Sequence, residues 1–332
     1  MLDLNLVRLY NYCIKKRKGR KRGKIVVKVF IDGSAGTTGL KIRERLEGRA
    51  DIQLILLSEE KRKDVEARRE ALNSADIVFL CLPDDAARES VSLITNPSVA
   101  VIDTSTAHRT NPDWVYGFSE IVGKQAIAKS KRIANPGCHA SGFIALVSPL
   151  VKAGIMPKDA HLSCFSLTGY SGGGKKMIAE YEDMEMEYLY NAPRAYGLTQ
   201  NHKHLKEMKA ICGLDVAPVF VPVVCDFYSG MQVTVPVHAS EINGTIEDVK
   251  NAYRQAYGDK IMVTYEENAD ENGFMSALAL EEKDTMQVSV YGNEERFTLV
   301  ARYDNLGKGA SGSAIQNMNI LLNAQEDTGL EK

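Results

Sequence analysis

The chain has 332 residues, 44% hydrophobic and 25% charged, which leaves room for about two domains and excludes a disordered chain, a collagen-like repeat and a disulfide scaffold. Its formal net charge of −2 hides nine basic residues and one acid within positions 1–24, so 25–332 carries 32 basic against 42 acidic residues. An acidic body of that kind is a poor match for nucleic acid, and six scattered cysteines without a CxxC pair predict reduced thiols in a cytoplasm.

The basic run in 1–23 reads as a solvated, disordered extension. A nucleic-acid or targeting patch is the other reading of such charges. No apolar h-region follows them, so a secretory signal is not expected. No run of about 18 apolar residues exists either, so no membrane partner is predicted. Lys24–Ile31 is a β-branched run that predicts a buried parallel strand, followed by a glycine-rich turn and a helix through Leu40, Ile42 and Leu46 to Gly48. Strands at 52–57, 77–82 and 99–103 alternate with helices at about 59–72 and 86–94. That alternation predicts an α/β fold, a Rossmann-like doubly wound parallel sheet.

From about Ala134 the pattern changes. A helix over 141–153 leads to a strand at 162–167, then β-rich stretches recur at 217–225, 231–238, 286–291 and 297–303. These predict a second, α+β catalytic domain with a largely antiparallel sheet. A final helix starts near Gly312.

The turn after the first strand holds Gly33, Ser34, Ala35, Gly36, Thr37, Thr38 and Gly39. Its G-x-x-G-x-x-G order departs from the usual dinucleotide spacing, but its place between strand and helix suits a pyrophosphate on free helix N–H groups. At the end of the second strand stands Ser58, not an acid, with Lys61, Arg62 and Lys63 beyond it. A hydroxyl and cations favour a 2′-phosphate, hence NADP(H), although Glu59 and Glu60 lie close by.

Asn135-Pro136-Gly137-Cys138 is a turn that opens an apolar helix. A cysteine there meets unpaired N–H groups that favour its thiolate and could hold an oxyanion, with the Asn135 amide as a further donor. The alternative is a buried structural cysteine. A reactive thiol needs a base. His202 and His204 are the candidates, with Glu207 to orient an imidazole; His139 ranks lower because neighbours in sequence seldom face each other. H-x-H lacks a third metal ligand, so no metal is expected. Gly169–Lys176 nearly matches a P-loop but ends in Lys176 where Ser or Thr is needed. It leaves Ser171, Gly172 and Lys175 as candidates for a substrate phosphate, or a plain flexible loop.

Together, FIDGSAGTTGLKIRERL, LLSEEKRKD, IDTSTAHR (102–109), NPGCHASGFIALVSPL, GYSGGG, YGLTQNHKHLKEM and DNLGKGASGSAIQNMNILL resemble the shorter (type 2) N-acetyl-γ-glutamyl-phosphate reductases. The cysteine and glycine motifs are shared more widely with aspartate-semialdehyde and glyceraldehyde-3-phosphate dehydrogenases. The resemblance implies an NADP-binding domain (24–134 with 305–332) and a catalytic and oligomerisation domain (135–304) in a dimer or tetramer. It implies Cys138 as nucleophile toward a small acyl phosphate in arginine biosynthesis. Pro83, Ser105, Asn305 and Gly309 would then lie on the cofactor side, and Tyr196 on the substrate side. The competing expectations are a sibling reductase of the aspartate-semialdehyde type and a non-catalytic NADP-sensing protein.

Overall fold

The computed structural model describes residues 26–332, and the basic extension lies outside them. The first half is a six-stranded sheet of β1 (Val27–Asp32), β2 (Ile52–Ile55), β3 (Ile77–Leu80), β4 (Ala100–Asp103), β5 (Val115–Tyr116) and β6 (Arg132–Ala134). Its order is β2-β1-β3-β4-β6-β5 and every pairing is parallel. Helices α1 (Thr37–Glu47), α2 (Val65–Ser74), α3 (Asp84–Leu93), α4 (Ser119–Val122) and α5 (Lys124–Lys129) connect the strands. The second helix starts at Val65, not near Glu59, because Asp64 caps it by accepting the Ala67 N–H at 2.7 Å.

The chain then enters α6 (Cys138–Lys152), which begins three residues before the expected Ser141. Between its start and Leu150 only Cys138 stays open to solvent, so this helix runs through the core instead of along a surface. The second sheet contains β7 (Ser163–Gly169), β8 (Arg194–Ala195), β9 (Val219–Cys225), β10 (Met231–His238), β11 (Val263–Tyr265), β12 (Met286–Gly292) and β13 (Arg296–Tyr303). Its order is β11-β12-β13-β10-β7-β9-β8, antiparallel except at β11/β12 and β7/β9. The largely antiparallel α+β half is therefore as expected.

Helices α7 (Gly174–Tyr181), α8 (His204–Cys212) and α9 (Ile246–Tyr257) complete this half. The sequence reading names neither α8 nor α9, although Thr245 and Asp248 form a reciprocal capping box. A π-helical turn at Gly307–Ser311 carries the chain into α10 (Gly312–Leu321). There Ala314, Ile315 and Met318 pack with Val29, Ile42 and Phe79 of the parallel-sheet core, so the last helix returns to the first half.

Candidate active site

The parallel strands end on the wall of a cleft, where β1 and β3 lead away to opposite sides, the usual place for a ligand in such sheets. Gly33 turns the chain out of β1 at φ +88°, and a Cβ there would collide with the Cys81 carbonyl. Gly39 has no room for a Cβ beside the Gly33 backbone. No side chain caps α1, which leaves its first N–H groups to an anion. A cradle this close to bare backbone fits a dinucleotide pyrophosphate.

Two cavities meet this cradle. One, of about 690 Å³, is lined by Gly33, Ser34 and Ala35 and, farther out, by Glu59, Arg62 and Lys63. Arg62 faces it while paired with Glu59 at 2.7 Å, whereas Ser58 is exposed and outside the lining. Lys175, expected on the substrate side, lines this nucleotide-side cavity. The reason is that Gly174 (φ +73°) turns the chain so that α7 starts here.

The other cavity, of about 640 Å³, is lined by Gly36, Thr37 and Thr38 on one side and by Cys138 on the other. Pro83, Ser105, Asn135, Asn305 and Gly309 also line it, as do Ser171, Gly172, Tyr196, His202 and His204. Most of the residues singled out from sequence, scattered over some 270 positions, thus share one cavity.

Cys138 is the first residue of α6, with Gly137 as N-cap. Burial pushes its thiol above the ordinary value, and Glu207 adds to that rise. The His139 backbone N–H, Arg109 and Lys203 act against it without reversing it. Desolvation thus outweighs the helix end and works against the thiolate that the helix terminus favours. Gly309 packs against this residue, and a Cβ there would come 3.1 Å from that of Cys138.

Glu207 does not orient an imidazole, the role that its place after His202 and His204 suggests. Its carboxylate accepts the Gly137 N–H at 2.8 Å and the Tyr116 hydroxyl at 2.6 Å, and pairs with Arg109 at 3.0 Å. Arg109 also donates to the carbonyls of Asn135 (2.9 Å) and Thr104 (3.0 Å). All three side chains are buried, so the pair clamps the turn before Cys138 from behind. Sequence reading missed Arg109 and Tyr116, because their partner lies about a hundred positions away. The Asn135 amide donates to the Ala310 carbonyl at 3.0 Å and accepts from Asn317, so part of its donor capacity is already taken.

Three imidazoles cluster beside the thiol. The His202 and His204 rings lie 4.7 Å apart, and His139 stands 6.0 and 5.7 Å from them. Burial lowers all three, His139 to about 3, so each is uncharged near neutrality. His139 has both nitrogens engaged, by Ser166 at 2.6 Å and the Tyr196 hydroxyl at 2.7 Å. His204 differs: its buried Nδ1 has no partner among the described residues. Among the described residues no group of His, Cys, Asp or Glu is arranged to hold a metal ion. Ser171 and Asn305 bond to each other at 3.0 Å, and Asn305 accepts the Gly230 N–H.

Residues 28–130 match the family described as semialdehyde dehydrogenase, NAD binding domain, and residues 138–305 match semialdehyde dehydrogenase, dimerisation domain. The N-acetyl-gamma-glutamyl-phosphate reductase of Rhizobium etli (strain CIAT 652) is 45% identical over 305 residues, 89% of this chain and 98% of that protein. That of Sinorhizobium medicae is 46% identical over 308 residues (90% and 99%), and N-acetyl-gamma-glutamyl-phosphate reductase 2 of Nostoc sp. is 42% identical over 321 (91% and 99%). In fold the chain is similar to aspartate semialdehyde dehydrogenase II of Vibrio cholerae, with a TM-score of 0.68 at 19% identity over 90% of this chain and 98% of that one. It is also similar to aspartate semialdehyde dehydrogenase with NADP from Candida albicans, with a TM-score of 0.61 at 16% identity over 90% and 98%. With relatives this similar along nearly its whole described length, the chain belongs to the N-acetyl-γ-glutamyl-phosphate reductase family.

Proposed function

We propose that this chain reduces N-acetyl-γ-glutamyl phosphate to N-acetylglutamate 5-semialdehyde with NADPH and releases inorganic phosphate, as a step of arginine biosynthesis in the cytoplasm. The observation that carries this reading is Cys138, open at the first turn of α6 to a cavity whose far wall is the glycine loop.

The sulfur of Cys138 attacks the acyl carbon. A sulfur–carbon bond forms, the carbon–oxygen bond to phosphate breaks, and its electron pair leaves with phosphate. The thiol proton needs an acceptor at that moment, because burial opposes a standing thiolate. His204 is assigned that role: it is uncharged and its buried Nδ1 has no partner among the described residues, whereas His139 has both nitrogens engaged and the His202 Nδ1 already accepts the His204 backbone N–H at 3.2 Å. When bound, the reduced nicotinamide would supply the hydride that takes the thioester carbon to the aldehyde level. The carbon–sulfur bond then breaks, its electron pair returns to the Cys138 sulfur, and the imidazole gives back the proton. The developing oxyanion is held by backbone N–H groups at the start of α6. The Gly33–Gly39 cradle binds the cofactor pyrophosphate, and Arg62 and Lys63 favour a 2′-phosphate.

The cofactor half comprises 24–134 with 305–332 and the catalytic half 135–304, a division supported by α10 packing on the parallel sheet. The exposed Phe165 and Val219, on neighbouring strands β7 and β9, are assigned to contact with another copy in a dimer or tetramer.

The test is NADPH consumption with three acyl phosphates: N-acetyl-γ-glutamyl, aspartyl and glyceroyl. Preference for the first is expected. Preference for another makes the chain a sibling reductase. Cofactor binding without any turnover makes it an NADP sensor.

A further inference from the structure

The wall of the Cys138 cavity carries two cationic side chains, Arg109 and Lys203. The guanidinium of Arg109 is spent on Glu207 and two backbone carbonyls. Lys203 is different. It is exposed, and among the described residues no hydrogen bond or ion pair holds its ammonium. It stands between His202 and His204 at the start of α8, and its charge acts on Cys138 and on both imidazoles. It also acts across the cleft on Asp84, at the start of α3. Asp84 has partners of its own, since its carboxylate accepts the Thr106 N–H at 2.9 Å and the Thr106 hydroxyl. Lys203 is therefore free to serve something else.

We propose that Lys203 is the substrate-binding cation of the cavity, holding the phosphoryl group of the acyl phosphate and then the departing inorganic phosphate. This rests on the reductase reading above, which supplies a phosphorylated substrate. A phosphate dianion entering the cavity faces Asp84 and Asp85, which line the same wall region and repel it. The three imidazoles are uncharged and offset nothing. Lys175, the cation that the glycine-rich loop suggests, lines the other cavity. An ammonium is a compact point charge on a flexible stem. It can follow the phosphate outward as the carbon–oxygen bond breaks, and it balances the charge that builds on the leaving oxygen.

The experiment runs the reaction in reverse with the aldehyde, inorganic phosphate and NADP. Lys203→Met is expected to raise the KM for phosphate about ten- to a hundredfold, the worth of one charge-assisted contact. The KM for aldehyde and the Kd for NADP should stay within about twofold. Lys203→Arg should restore most of the loss, and Lys175→Met should leave the phosphate KM unchanged. An unchanged phosphate KM in Lys203→Met, or one that rises in step with the aldehyde KM, overturns the proposal. A second arm needs no turnover: inorganic phosphate should slow iodoacetamide alkylation of Cys138 in the wild type and not in Lys203→Met. Protection that is absent, or alike in both proteins, overturns the proposal. A wild-type protein inert toward aldehyde and phosphate but showing this difference would remove the reductase reading and leave the anion site standing.

Discussion

The carboxylate of Glu207 accepts the backbone N–H of Gly137 at 2.8 Å, so a helix in the catalytic half fixes the turn that presents Cys138. A Cβ at Gly137 would collide with the Arg109 guanidinium and the His204 ring, which shows how tightly this turn is boxed in. Glu207→Ala would leave Arg109 as an uncompensated buried charge and free the Gly137 amide. A stability loss of about 3–5 kcal/mol is expected. Glu207→Gln keeps an acceptor for Gly137 and should lose less stability, but still lower kcat. Urea unfolding alongside steady-state kinetics checks both. Wild-type stability and kcat in Glu207→Ala would remove the clamp from the account.

Much of this arrangement was legible in the sequence. The β-branched runs and glycine turn mark the parallel sheet, and Gly137-Cys138 before an apolar helix marks the reactive turn. What escaped reading depends on distance along the chain. Arg109 and Glu207 are ordinary charged residues until folding buries them against each other. His139 ranks below the other two as a base, and only the fold shows that the helix turns its ring toward Ser166 on β7 and Tyr196. Lys175 lies in a near P-loop that suggests phosphate and Lys203 carries no such signal, yet the path of the chain after Gly174 puts Lys175 in the nucleotide-side cavity while Lys203 lines the one that holds Cys138. The thiol's direction could not be read from its place at a helix end, because burial was the larger effect.

The buried imidazoles make stability depend on acid. His139 titrates near 6.5 when unfolded but only at about 3 in the native state. The unfolded chain therefore binds the extra proton first as pH falls, and native stability drops between about pH 6.5 and about 3. The slope is at most about 1.4 kcal/mol per pH unit for each such group. His204 is lowered in the same direction and adds to it. Unfolding midpoints measured from about pH 7 to about pH 5 should fall, and His139→Gln should flatten the fall whatever it does to stability at neutrality. An equal slope in wild type and variant would contradict a neutral buried His139.

The Cys138 thiol of the ligand-free protein should titrate above the usual value of about 8.5, with iodoacetamide reactivity still climbing past that pH. Selectivity for Cys138 over Cys164, Cys212 and Cys225 then comes from their burial, and selectivity over Cys81, which is half-buried like Cys138, comes from its thiol being pushed up to about 12. Mass-spectrometric mapping of the alkylated site over a pH series checks this. A Cys138 midpoint well below 8.5 would restore a resting thiolate and relieve His204 of its proton-accepting role.

The most direct test of the central claim is Cys138→Ser assayed for NADPH oxidation with N-acetyl-γ-glutamyl phosphate, alongside NADP binding by titration. One oxygen replaces one sulfur, so the cavity and the glycine cradle stay intact. The account predicts that turnover falls by about 10³-fold or more while the cofactor Kd stays the same. Turnover at the wild-type rate with unchanged cofactor binding would contradict it.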